Sequence, residues 1–293
     1  LEDDRLPVYV LFGIGGLLGD AFYARLCEKV PNHRIFAFDH LRVDISNRAH
    51  VAPMLSYILP TAVINCAALN DPDMCEDAKE GAFYANAVGP RILAEECCKV
   101  KARLLHLSSC SVFSGTSGKP YSETDETAPL GTHGNSKLEG EKAVLKAFPD
   151  SLVVRPGWCF HYEGNNFLTD WIARAERGLS ITVPRDCQGS PTYVLDLVDA
   201  SLCLMDKDAS GIFHFANSGT ATWSLLAETV GSLAKTNVKV VPMSTEMKSL
   251  FKSPVQRYAT LSTEKYVGLA GKKPRSWETA LRNCLFQMNR YKP

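Results

Sequence analysis

The chain is expected to fold as an α/β protein, a doubly wound parallel sheet of the Rossmann type with a smaller C-terminal substrate lobe, and three observations lead there. Short apolar runs alternate with longer amphipathic stretches through the first half, the rhythm of a parallel sheet covered by helices on both faces. Those runs are apolar almost without interruption, as strands buried on both sides require. A glycine-rich turn, Gly13-Ile14-Gly15-Gly16-Leu17-Leu18-Gly19, follows the first run directly and opens a helical pattern, the context in which such a turn cradles phosphates.

Taken in order, residues 8–12 read as strand one and 34–38 as strand two, with 62–66 as strand four and 104–107 as strand five. Helical spacing runs through 17–30, 80–99 and 136–148, and 152–156 is a further apolar run. Beyond Pro156 the regularity weakens, with a Gly- and Asn-rich loop at 163–166 and a helix at 167–177 that are expected to close over a ligand. Residues 194–205 read as helix, 211–215 as strand and 223–234 as a helix that Thr222 or Ser224 caps. No internal repeat, low-complexity tract or long linker divides the chain. Residues 1–154 with 188–220 are assigned to the dinucleotide-binding domain, and 155–187 with 221–293 to the substrate lobe.

The 293 residues are enough for one large domain or two modest ones. Thirty-two basic and thirty-two acidic residues cancel and form no basic stripe, so nucleic acid and anionic membranes are not the expected partners. A small molecule is. The ten cysteines fall within apolar runs, as at Cys66, Cys97, Cys98, Cys159 and Cys203, and read as reduced core residues. Without a Cys-x-x-Cys pair or paired-histidine spacing, no metal site is expected. No apolar stretch reaches the roughly 20 residues that span a bilayer. The beginning, Leu1-Glu2-Asp3-Asp4-Arg5, lacks the form of a signal peptide, and a cytoplasmic location is expected.

The spacing Gly13, Gly16, Gly19 assigns three jobs. Gly13 permits the tight turn, Gly16 lets the backbone approach a pyrophosphate, and Gly19 lets the helix pack closely on the sheet. The N–H groups at the helix start, including those of Leu17 and Leu18, then face the phosphates. Asp39, ending strand two, is placed to accept hydrogen bonds from an adenosine ribose 2′-hydroxyl, which favours NAD over NADP. His40 and Arg42 soften that preference. Asp44 either reaches the adenine side or caps the helix that begins near Asn47.

With these residues in place the chain resembles an extended short-chain dehydrogenase/reductase, and more closely the dTDP-4-dehydrorhamnose reductase family. The similarity covers nearly the whole chain. It includes Asn65-Cys66-Ala67-Ala68, Asn86-Ala87-Val88-Gly89-Pro90, Leu107-Ser108-Ser109, Pro120-Tyr121-Ser122-Glu123-Thr124-Asp125 and Ser136-Lys137-Leu138-Glu139-Gly140-Glu141. Later it includes Gly164-Asn165-Asn166-Phe167 and Gly189-Ser190-Pro191-Thr192-Tyr193-Val194, the most discriminating segments. The first half is also similar to the methionine adenosyltransferase regulatory β subunit. The resemblance implies a nucleotide-linked 4-keto-6-deoxy sugar as substrate and NAD or NADP as cofactor. It implies that Ser109 polarises the carbonyl and that Lys137 holds the nicotinamide ribose. Ala67, Ala68 and Asn86 stand at cofactor positions, and Trp158, Asn166, Thr192 and Arg257 at substrate positions.

One position departs. The family carries Tyr-x-x-x-Lys, whereas this chain reads His133-Gly134-Asn135-Ser136-Lys137. Residues four apart share a helix face, so His133 and Lys137 still point together. The neighbouring ammonium disfavours the imidazolium, however, and leaves fewer molecules able to donate a proton. Two outcomes are open: a slow or altered reductase using His133 as acid, or a dinucleotide-binding regulatory subunit that partners another enzyme or itself. After Ser109 the chain has Cys110-Ser111 where the family has an acidic residue and a tyrosine. Cys110 reads as a buried thiol rather than a nucleophile, and Tyr121 and Tyr162 are substitute acids only if their loops turn inward.

Overall fold

Six parallel strands form the central sheet of the computed structural model, which describes residues 6–236, 238–245 and 252–291. From edge to edge they are Gly211–Phe215, Leu152–Pro156, Arg103–Leu107, Ala62–Asn65, Tyr9–Phe12 and Ile35–Phe38. Each neighbouring pair runs parallel. The chain order reverses between Tyr9–Phe12 and Ala62–Asn65, and at such a switch point the strands' C-terminal ends open a crevice.

Alternate residues of these strands feed two different cores, as the two-residue period demands. Leu11, Ile64, Leu105 and Val154 pack with Phe22, Leu26, Leu197 and Val198, from helices Leu17–Cys27 and Val194–Asp206. Val10, Val63, Leu104 and Val153 pack on the opposite face. There they meet Val51, Leu55, Ile92, Leu93 and Val144 of helices Arg48–Ile58, Gly89–Val100 and Thr132–Ala147. A third core joins helices Phe167–Glu176, Trp223–Ala234 and Trp277–Gln287 with strand Ser180–Pro184.

Several expectations are corrected. Among the described residues no strand intervenes between Ile35–Phe38 and Ala62–Asn65, so the runs read as strands four and five are the third and fourth of the sheet. Residues 80–99 are not one helix: Lys79–Phe83 and Gly89–Val100 are separated by a π-helical turn, Tyr84–Val88. Pro90 has no N–H to give the Asn86 carbonyl, and the turn widens. The helix read from Ser136 begins at Thr132. Thr222, not Ser224, caps helix Trp223–Ala234, accepting from the Leu225 N–H. Of the five cysteines read as core, Cys97 is buried, while Cys98, one residue around the helix, is exposed and Cys66, Cys159 and Cys203 are half-buried. Strands Trp158–Phe160, Ser180–Pro184 and Lys239–Met243 and helices Glu264–Ala270 and Trp277–Gln287 are additional.

Candidate functional site

The glycine-rich turn sits at the switch point. Gly13 has φ +91° and Gly15 φ +81°, the left-handed region that only glycine enters freely. A Cβ on Gly13 would lie 2.6 Å from the Ala67 nitrogen, so the first turn and the Cys66-Ala67-Ala68 turn abut. A Cβ on Gly19 would lie 2.0 Å from the Gly13 oxygen, which fixes how closely the helix approaches its own entry turn. No side chain caps the helix at Gly16, so its opening N–H groups are available to an anion. One carboxylate stands close by: Asp20 Oδ1 accepts the Gly15 N–H at 2.7 Å.

Asp39 follows strand Ile35–Phe38 and shapes the next turn. Its Oδ1 accepts the N–H groups of Leu41 and Arg42 at 3.1 and 2.9 Å. Asp44 caps no helix. It accepts from Ser46 N–H and Oγ, and Asn47 caps helix Arg48–Ile58 through the Ala49 N–H.

Helix Thr132–Ala147 carries the second half of the site. Glu76, from helix Pro72–Asp77, accepts both the Thr132 N–H and its hydroxyl and so caps the helix from outside. These bonds, the backbone one foremost, hold the Glu76 carboxyl below its ordinary range. A Cβ on Gly134 would lie 2.2 Å from the Ser111 oxygen, so glycine lets the helix start close on the turn Cys110–Val112. That turn is capped by Ser109, whose Oγ accepts the Ser111 N–H at 3.1 Å and donates to Ser111 Oγ at 3.0 Å.

His133, Lys137 and Glu141, one turn apart, form a buried stripe on that helix. His133 is 8% exposed and its Nδ1 has no hydrogen-bond partner among the described residues. Burial first, then the Lys137 ammonium, pushes its pKa down to about 4, against a smaller opposing pull from Asp71. Lys137 donates to the Leu107 carbonyl at 3.1 Å, and burial pushes its pKa down to about 8. Glu141, assigned no role by the sequence, accepts from the Ser108 hydroxyl and from Arg155 Nε and Nη2, at 2.8 and 2.6 Å for the arginine. Arg155 reaches His214 at 3.4 Å, and His214 contacts the Tyr121 carbonyl at 3.1 Å. Through Ser108 this buried chain ties the end of strand Arg103–Leu107 to helix Thr132–Ala147.

The remaining predicted residues divide into wall and scaffold. Trp158 stacks on Trp223 with ring centroids 4.0 Å apart, and both line a cleft of about 360 Å³ that also holds His133, Ser111, Asp71 and Gln256. Asn86 clamps elements together, pairing with both backbone groups of Leu69 and with Ser136 Oγ, each at 2.9 Å. Asn166 is the cap of helix Phe167–Glu176, and its amide donates to the carbonyls of His161, Glu163 and Gly164. Thr192 is fully buried and bonds the Ser190 carbonyl. Arg257 is exposed and pairs with Asp186 at 3.6 Å, outside the residues lining the cleft.

Tyr121 does not turn inward as a substitute acid. It stacks on Phe113, and its hydroxyl accepts the Thr116 and Ser117 N–H groups. Tyr162 lies against His161. Cys110 is buried, and burial pushes its thiol up to about 11, away from nucleophilic character. Among the described residues no cluster of three or more His, Cys, Asp or Glu could hold a metal ion, and no helix is long and apolar enough to cross a membrane.

Comparison with known proteins agrees with this architecture. The family model described as "RmlD substrate binding domain" matches residues 8–290. A dTDP-4-dehydrorhamnose reductase of Mycobacterium tuberculosis is 35% identical over 283 residues, covering 94% of this chain and 91% of that protein. A probable dTDP-4,6-dihydroxy-2-methyloxan-3-one 4-ketoreductase of Streptomyces antibioticus is 33% identical, covering 94% of each. The crystal structure of the Bacillus anthracis dTDP-4-dehydrorhamnose reductase in complex with NADP superposes with a TM-score of 0.91 at 30% identity, covering 96% of this chain and 99% of that one. Fold, switch-point turn and full-length similarity converge: the chain belongs to the RmlD family of dTDP-4-dehydrorhamnose reductases, within the extended short-chain dehydrogenase/reductases.

Proposed function

We propose that this protein binds a nicotinamide dinucleotide and a nucleotide-linked 4-keto-6-deoxy sugar, and reduces the sugar slowly at neutral pH with His133 as proton donor. The observation that carries the reading is the pair His133 and Lys137, one turn apart and both buried, with His133 lining the cleft that Ser111 and Trp158 also line. The dinucleotide fits the residues present. Uncapped N–H groups at Leu17 and Leu18 would hold its phosphates, with Gly16 letting the backbone approach them, Asp39 would hold its adenosine ribose and Lys137 its nicotinamide ribose, with Ala67 beside the turn and Ala68 following it. When bound, its reduced ring supplies a hydride to a ketone carbon. Ser109 then steadies the developing negative charge on the ketone oxygen, and His133 gives that oxygen its proton.

The slow rate follows from the imidazole's charge state. With a pKa pushed down to about 4, only about one His133 in a thousand is protonated at pH 7. Turnover of a 4-keto sugar nucleotide should therefore rise as the medium is acidified. His133→Tyr should raise neutral-pH turnover by about 10²-fold or more, with dinucleotide affinity unchanged. No turnover in either protein at any pH, despite dinucleotide binding, would remove the reductase reading.

The same neutral imidazole favours a second reading, a dinucleotide-binding regulatory subunit without turnover. A stoichiometric protein partner recovered in a pull-down, whose activity changes on addition of dinucleotide, supports it; turnover by the lone chain counts against it.

A further inference from the structure

We propose that Asp20 is a second cofactor-selecting carboxylate, acting with Asp39 to exclude a phosphate from the ribose 2′-oxygen and so to set the chain for NAD(H). This rests on the dinucleotide reading above. A cleft of about 570 Å³ opens beside the glycine-rich turn. Asp20, Asp39 and Arg42 line it, together with apolar surface from Ile14, Tyr23, Ile35 and Ala37. Asp39 stands where a ribose hydroxyl is held at the end of the second strand. A group attached to that hydroxyl therefore projects toward the cleft that Asp39 lines.

The charges in this lining are set against an anion. Asp20 is anchored by the Gly15 N–H at 2.7 Å, and Asp39 by the N–H groups of Leu41 and Arg42 at 3.1 and 2.9 Å. Both carboxylates are held by backbone, so neither swings away without breaking those bonds. Against them, among the lining residues, stands one guanidinium, Arg42, on an exposed stem. Two fixed negative charges and one positive leave the lining net negative, and a phosphate monoester adds about two more of the repelled sign. Asp20 also offsets the positive end of helix Leu17–Cys27, which would otherwise favour an additional phosphate. An unphosphorylated ribose meets none of this penalty, because its hydroxyls donate to a carboxylate.

Calorimetric titration of the full chain with NADH and NADPH, at low and high ionic strength, tests the assignment. The wild-type protein should take NADH about tenfold more tightly than NADPH. That preference should shrink as salt rises, because the term being screened is a repulsion. Asp20→Asn keeps an oxygen for the Gly15 N–H while removing the charge. It should narrow the preference about threefold to tenfold, through tighter NADPH binding. Equal affinities in the wild type, a preference that grows with salt, or a ratio unchanged by Asp20→Asn while Asp39→Asn abolishes it would each overturn the role of Asp20. Failure of both dinucleotides to bind the wild type and the Asp20→Asn protein alike overturns the dinucleotide reading itself. The salt series on the wild type reads the same repulsion should the substitution impair folding.

Discussion

In the proposed reaction His133 sets the pH dependence, and its burial also bears on how stable the protein is. Burial holds His133 at a pKa of about 4, and His106 and His214 at about 3, each below the ordinary 6.5. A group that binds its proton more weakly when folded favours the unfolded chain as the pH drops. The folded state is therefore unaffected above about pH 6.5, loses stability from there down to about pH 4, and loses no more from His133 below that. Urea denaturation should show this decline between pH 7 and 4.5. His133→Phe should recover on the order of 2 kcal/mol of it at pH 4.5. A flat profile in the wild type would show that the imidazoles are not held neutral. At this scale the sequence was half legible. His133 and Lys137 stand out because their spacing is local, whereas Glu141 looks like one more helical carboxylate until Ser108 and Arg155 close around it. Asn166 illustrates the opposite case, a motif residue whose amide is committed to a helix cap and its loop.

Elements meet at Asn86. The π-helical turn Tyr84–Val88 places its side chain between the Leu69 backbone and Ser136, tying the loop after the third strand to helix Thr132–Ala147. Asn86→Ala would leave buried partners unpaired, and an unfolding free energy lower by about 1–3 kcal/mol is expected. Gly140→Ala should cost a similar 1–3 kcal/mol, because its Cβ would lie 2.0 Å from the Asn86 oxygen and must push the helix off the turn. Chemical denaturation of both variants, with the double variant less than additive, would confirm that they load one contact. The four inner sheet strands were readable because burial on both faces makes them almost continuously apolar, and the edge strand Ile35–Phe38 is as apolar although Phe36 is exposed. The start of helix Thr132–Ala147 was not, since its cap, Glu76, lies 56 residues away. Strands such as Trp158–Phe160 span three residues, too few for periodicity to register.

At the scale of the whole molecule, a buried ion pair, Arg155 with Glu141, joins the sheet to helix Thr132–Ala147, each side chain 2% exposed. Arg155→Met alone would strand a carboxylate in the core, and a loss of about 3–5 kcal/mol is expected. Replacing both partners by apolar residues should recover much of that loss, which thermal unfolding of the single and double variants would measure. Neither partner's role was visible from sequence, because the pairing depends on a strand and a helix coming together. The later segments, by contrast, announced their loop and helices but not how they pack: strands Ser180–Pro184 and Lys239–Met243 pair across more than fifty residues. The stacked indoles of Trp158 and Trp223 carry one further consequence. They sit in the cleft wall, whereas the other two tryptophans, Trp171 and Trp277, are buried in the core. A molecule entering the cleft thus changes the surroundings of two emitters out of four, and intrinsic fluorescence becomes a label-free optical gauge of occupancy, usable even when no product is formed.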